Sequence, residues 1–269
     1  MTRLPEPTML KLGRQGANLH LTLNNPERKN ALSGEMVNEM IEVLDAIAPD
    51  RSIRSLIMRG EGGTFCAGGD IKGFKAGFQA DADPVAIAAS NRTFGDFLIR
   101  LNNLPQTVIM LVDGAAMGGG LGLTCVSDVA ICDVDTRFSM TETSLGIPPA
   151  QIAPFVVERL GVTQSRRLML TGARFKGAEA AELGLVHFCE ADRAGMDARL
   201  EAVLDQMDRC APAANAATKD IVMTSRRESL PDTLDMASRH FADCMLSDEG
   251  REGVSAFLEK RKAGWIERS

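Results

Sequence analysis

The chain has 269 residues, 45% hydrophobic and 25% charged, enough for one large domain or one domain with a smaller appendage. Its formal net charge is −6, and no basic block is present to displace counterions from phosphates, which argues against general nucleic-acid binding. The locally basic run Glu259-Lys260-Arg261-Lys262 is short and mixed with acid, suiting a solvated helix face or one small phosphorylated ligand.

In chain order, Met1-Thr2-Arg3-Leu4-Pro5 is followed by no apolar run of the signal-peptide kind. Leu19, Leu21 and Leu23 alternate with polar partners and predict a half-buried strand ending at Asn24-Asn25-Pro26. Ser33 is placed to cap a helix with Met36, Val37, Met40, Ile41, Leu44 and Ile47 on one face, stopped by Pro49. A strand at Leu56-Ile57-Met58 leads to a first glycine loop, Cys66-Ala67-Gly68-Gly69-Asp70. An Ala- and Asp-rich stretch from about Phe74 to Pro84 follows and is expected to be the most mobile part. A helix from about Ala86 to Leu101 precedes a strand at Val108–Val112. Then come a second glycine loop, Met117-Gly118-Gly119-Gly120, its helix, and a strand near Val129–Cys132.

Gly114, Gly118 and Gly122 lie four apart in this apolar stretch, a spacing also found in packed membrane helices. Asp113 and Asp128 leave about 14 uncharged residues between them, against the ~20 a spanning helix needs. A buried strand followed by a buried helix is predicted instead. Short strands alternating with helices imply an α/β fold with parallel pairing and crossover helices. Beyond Asp192 the apolar spacing is helical throughout (Leu200, Val203, Leu204; Phe241, Met245; Val254, Phe257, Leu258). The six cysteines, Cys66, Cys125, Cys132, Cys189, Cys210 and Cys244, form no C-x-x-C pair, and four lie in apolar contexts. They read as free thiols of a reducing, cytoplasmic compartment.

Glycine lets bare N–H groups approach a ligand that a side chain would repel, and two such groups aimed at one oxygen make an oxyanion hole. Singly, each loop also fits a tight turn or close helix–strand packing. Glu142 is the candidate base; as a lone glutamate it also fits a helix first turn capped by Thr141. Leu145 and Ile147 are expected to bury it and raise its pKa. His187 and Asp192 have H-x-x-x-x-D spacing, but Leu185-Val186-His187-Phe188 reads as a strand and His187 as structural. No G-x-G-x-x-G follows a strand, and neither His20 nor His240 has a partner at metal-ligand spacing, so neither a dinucleotide nor a metal is expected.

Three segments, Phe65-Cys66-Ala67-Gly68-Gly69-Asp70-Ile71, Val112-Asp113-Gly114-Ala115-Ala116-Met117-Gly118-Gly119-Gly120 and Glu142-Thr143-Ser144-Leu145-Gly146-Ile147, resemble the crotonase (enoyl-CoA hydratase/isomerase) superfamily. So do Asn25-Pro26-Glu27-Arg28-Lys29-Asn30-Ala31-Leu32 near the start and Ala256-Phe257-Leu258-Glu259-Lys260-Arg261 near the end. The resemblance spans nearly the whole chain. It implies a spiral of repeated ββα units over residues 1–195 and a C-terminal helical trimerisation region over 196–269, assembled as a homotrimer or dimer of trimers. It further implies an oxyanion hole from the Gly69 and Gly119 N–H groups, Glu142 as acid/base, and coenzyme A contacts from Arg28, Ala31, Ala67, Phe257 and Lys260. The last two often come from a neighbouring subunit. Coenzyme A would arrive as part of an acyl-CoA substrate, with no separate cofactor and no membrane or nucleic-acid partner.

One departure stands out. Typical enoyl-CoA hydratases follow the glycine triplet with a residue and then a second glutamate, whereas here Gly120-Leu121-Gly122-Leu123 places Gly122 there. The loss is expected to widen the site. A single glutamate also resembles the Δ3,Δ2-enoyl-CoA isomerases. The segment Leu145–Val157, however, resembles bacterial hydratases of branched glutaconyl-CoA esters, either 3-methylglutaconyl-CoA or isohexenylglutaconyl-CoA. Hydration of such an ester is the implied activity; isomerisation and non-catalytic acyl-CoA binding are the alternatives.

Overall fold

The structure, a computed structural model, describes residues 3–70 and 83–266. The stretch expected to be mobile lies outside the described residues up to position 82. Asp83 already caps the next helix, its carboxylate accepting from the Val85 N–H.

Six strands form the main sheet: β1 (Leu10–Gln15), β2 (Asn18–Leu23), β3 (Ser55–Gly60), β4 (Thr107–Val112), β6 (Val129–Asp133) and β9 (Phe188–Glu190). Their spatial order is β1-β2-β3-β4-β6-β9, parallel except for the β1–β2 hairpin. A second, three-stranded sheet joins β5 (Ala115–Met117), β7 (Arg137–Ser139) and β8 (Arg174–Lys176). Both faces of the main sheet are covered, as parallel sheets require. Ile57, Ile109, Leu111 and Ile131 pack with Met196, Leu200, Val203 and Leu204 of one helix. The alternate residues Leu56, Met58, Val108, Met110, Val112 and Ala130 join the larger cluster on the other face.

The helices are α1 (Gly34–Ile47), α2 (Pro84–Asn102), α3 (Gly119–Cys125), α4 (Ala153–Thr171), α5 (Gly177–Glu182), α6 (Arg193–Met207), α7 (Pro212–Thr224), α8 (Leu230–Leu246) and α9 (Asp248–Leu258). Ser33 caps α1 through its hydroxyl to the Met36 N–H, as the sequence predicts. Asp192 caps the start of α6, accepting from the Gly195 N–H, so its carboxylate serves the helix N-terminus and is not half of an acid–histidine pair. The strand expected at Leu185–Phe188 begins only at Phe188, and His187 Nδ1 takes the Ala130 N–H at 2.9 Å. β1 and the long α4, interrupted at Gly161, had no matching expectation. Among the described residues no strand follows residue 192, and no helix is long and apolar enough to cross a membrane. Cys66, Cys125 and Cys132 are buried, while Cys189 and Cys244 are half-buried and Cys210 is exposed.

Candidate active site

The two glycine loops are laced together by their backbones. The Phe65 N–H donates to Asp113 O at 2.9 Å, Cys66 N–H to Ala115 O at 3.0 Å, and Met117 N–H to Cys66 O at 2.9 Å. This lacing leaves no room for side chains: a β-carbon on Gly68 would lie 3.0 Å from Met117 O, and one on Gly120 would lie 2.7 Å from Cys66 O. Gly68 also has φ +98, which other residues rarely adopt.

Counting the amides locates the open donors. In the first loop, Cys66 donates to Ala115 O, Ala67 to Lys29 O, Gly68 to Cys66 Sγ and Asp70 to Leu32 O. Gly69 alone is left without an acceptor among the described residues. In the second loop, Gly118 donates to Ser139 O, while Gly119 opens α3, where the first N–H groups have no intrahelical partner. The two open amides are close together: a β-carbon on Gly119 would lie 3.8 Å from Gly69 N, beside Leu32 Cδ1 at 3.0 Å and Phe94 Cζ at 3.4 Å. Two donors side by side between apolar groups can hold a developing oxyanion.

Glu142 begins a short 3-10 turn (Glu142–Leu145), and its Oε1 lies 2.6 Å from the point where a β-carbon on Gly118 would sit. Its Oε2 is buried without a hydrogen-bond partner among the described residues, leaving it free to meet a substrate or water proton. Burial raises its pKa above the usual carboxylate range, with its own N–H partly opposing. Leu145 is 56% exposed and Ile147 37%, and the backbone of the second glycine loop, at Gly118, also lies directly against the carboxyl. Thr141 precedes the turn but makes no side-chain cap bond.

The expected widening at Gly122 is also overturned. A β-carbon there would overlap Ile152 Cγ2, so the buried Ile152 fills the space a side chain would take.

Arg28, Ala31 and Ala67 come together beside the first loop. Arg28 Nη1 pairs with Asp70 Oδ2 at 3.1 Å, Ala31 N–H donates to Arg28 O at 3.1 Å, and Ala67 N–H reaches Lys29 O. Sequence reasoning missed the pin of this cluster, Asn30. It is fully buried at φ +54; its Nδ2 donates to Glu61 O and Thr64 O, and its Oδ1 accepts from Asn25 N. Phe94 and Ile152 were missed too, because an apolar residue in an apolar run carries no local mark of what it faces. Phe257 is 82% exposed on α9, and the exposed Lys260 follows that helix. Among the described residues no hydrogen bond joins either to the glycine loops. No group of three His, Cys, Asp or Glu side chains that could hold a metal occurs among the described residues.

Comparison with known proteins gives the family and the fold. The sequence profile of the enoyl-CoA hydratase/isomerase family matches residues 13–268. A probable enoyl-CoA hydratase of Bacillus subtilis (strain 168) is 30% identical over 243 residues, covering 90% of this chain and 92% of its own. The 2,3-dehydroadipyl-CoA hydratase of Escherichia coli (strain K12) is 30% identical over 256 residues, covering 94% and 96%. Among solved structures, Pseudomonas aeruginosa AtuE is 51% identical, with TM-score 0.93 over 96% of this chain and 100% of its own. The chain has the mixed α/β crotonase fold and belongs to the enoyl-CoA hydratase/isomerase family.

Proposed function

We propose that this enzyme hydrates a branched, glutaconyl-type enoyl-CoA, isohexenylglutaconyl-CoA or 3-methylglutaconyl-CoA. The observation that carries the reading is the pair of amides at Gly69 and Gly119, without acceptors among the described residues, with the Glu142 carboxyl against the neighbouring Gly118. The amides polarise the thioester carbonyl and hold the enolate, each lowering the barrier by about 2.7–4 kcal/mol. Glu142 takes a proton from water as the oxygen adds at C3. With Ile152 standing at Gly122, the same carboxylic acid then returns the proton to C2. Arg28, Ala31 and Ala67 line the coenzyme A arm, and Phe257 and Lys260 meet the nucleotide end from a neighbouring subunit of a trimer or dimer of trimers. The C-terminal helices from 196 onward, the first of which also packs on the main sheet, form that assembly around the core of residues 1–195. Free cysteines suit a cytoplasmic setting. The Escherichia coli relative's name specifies an unsaturated diacid ester, which supports a carboxylate-bearing acyl chain here.

Ile152 in place of a second polar group also favours one-base proton shuttling, the isomerase reading. Turnover of 3-methylglutaconyl-CoA, isohexenylglutaconyl-CoA and crotonyl-CoA in ¹⁸O-water separates the two. The expected result is ¹⁸O at C3 of a glutaconyl-type product; a shifted double bond without label marks an isomerase, and binding without turnover marks a non-catalytic homologue.

A further inference from the structure

Phe94 borders Gly119, and on α2 Asn91 neighbours both Phe94, three residues on, and Gly95, four residues on. A side chain at Gly95 would overlap Gln151 Oε1 and come 2.8 Å from Arg92 Nη1. Gln151 Nε2 donates to Asn91 Oδ1 at 2.8 Å. Arg92 Nη1 pairs with Asp96 Oδ1 at 2.7 Å, both side chains about half exposed. Gln151 directly precedes Ile152, which covers Gly122. The carboxamides of Asn91 and Gln151 therefore sit next to Phe94 and Ile152, the apolar side chains that border α3 and its open amide, and the Arg92 guanidinium lies beyond them, over Gly95.

These polar side chains have donors to spare. Arg92 offers five N–H groups in a planar fork, of which one meets Asp96. An exposed pair four residues apart is weak, so the guanidinium can be shared with a second carboxylate. The Asn91 amide nitrogen donates to nothing among the described residues. A fork and neighbouring amides suit a planar carboxylate better than a hydrocarbon tail or a hydroxyl.

We propose that Arg92, with the Asn91–Gln151 pair, determines specificity by receiving a distal carboxylate on the acyl chain. This rests on the glutaconyl-type reading above. Its test is the ratio of kcat/KM for 3-methylglutaconyl-CoA to that for 3-methylcrotonyl-CoA, which differ by that carboxylate. The ratio in the unaltered enzyme is expected well above one, to fall at least about tenfold in Arg92→Met through KM, as loss of a charged hydrogen bond predicts, and to recover in part in Arg92→Lys. Circular dichroism of each variant reports its folding separately. A ratio near one in the unaltered enzyme defeats the substrate reading, and this inference with it. A high ratio left unchanged in Arg92→Met overturns this inference alone.

Discussion

Glu142 combines two properties that seldom coexist outside a functional site, a buried oxygen with no hydrogen-bond partner among the described residues and a pKa raised by burial. As the sole base in the scheme, it predicts that Glu142→Gln keeps acyl-CoA binding while kcat falls by about 10²–10⁴-fold. Persisting turnover would show that another group moves the proton. The acid limb of the kcat profile should have its midpoint above the ordinary carboxylate range, since the base must be ionised. The stability consequence has a definite sign. A carboxyl whose folded pKa exceeds its unfolded value binds its proton more tightly when folded, so stability falls as pH rises between the two values. Glu142→Gln should therefore raise Tm at pH 7, with the gain vanishing below the ordinary carboxylate pKa. A variant less stable at pH 7 would mean that the ionised carboxylate is held by favourable contacts.

At the scale of elements, α3 and the segment entering α4 meet through Gly122 and Ile152. A methyl at Gly122 has to displace Ile152, and overpacking of this kind costs about 1–3 kcal/mol. Urea denaturation should give Gly122→Ala a loss of that size, and combining it with Ile152→Ala, which removes the Cγ2 methyl, should cost less than the sum of the two single losses. Additive effects would mean the two residues do not share one space. The glycine loops were legible because close backbone approach excludes every other residue, and that constraint is written in the local sequence. The α1 helix and the central strands were legible because a cap and an apolar period are local signals. Ile152, Phe94 and Asn30 were not, since each acts on residues tens of positions away. The room expected at Gly122 failed for the same reason: removing a side chain from one segment says nothing about what another segment places there. Glu142 was legible as a candidate, but the contact of its carboxyl with Gly118 was not.

In the molecule as a whole, the main sheet is covered on both faces, yet the C-terminal helices turn apolar side chains outward: Leu234, Phe241, Leu246 and Leu258 are all exposed. Faces of this kind call for a partner, and symmetric self-association is the simplest one. Sedimentation equilibrium should return a trimer or a multiple of it, and Phe241→Asp should shift the distribution towards monomer; a monomeric unaltered chain would contradict the assembly and the neighbour-supplied roles of Phe257 and Lys260. The catalytic claim is tested most directly by a crystal structure of Glu142→Gln with a bound glutaconyl-type enoyl-CoA. The account predicts the thioester oxygen about 2.7–3.1 Å from both the Gly69 and Gly119 nitrogens, with residue 142 facing C2 and C3. A thioester oxygen held by other donors, or an acyl chain out of reach of residue 142, would contradict it.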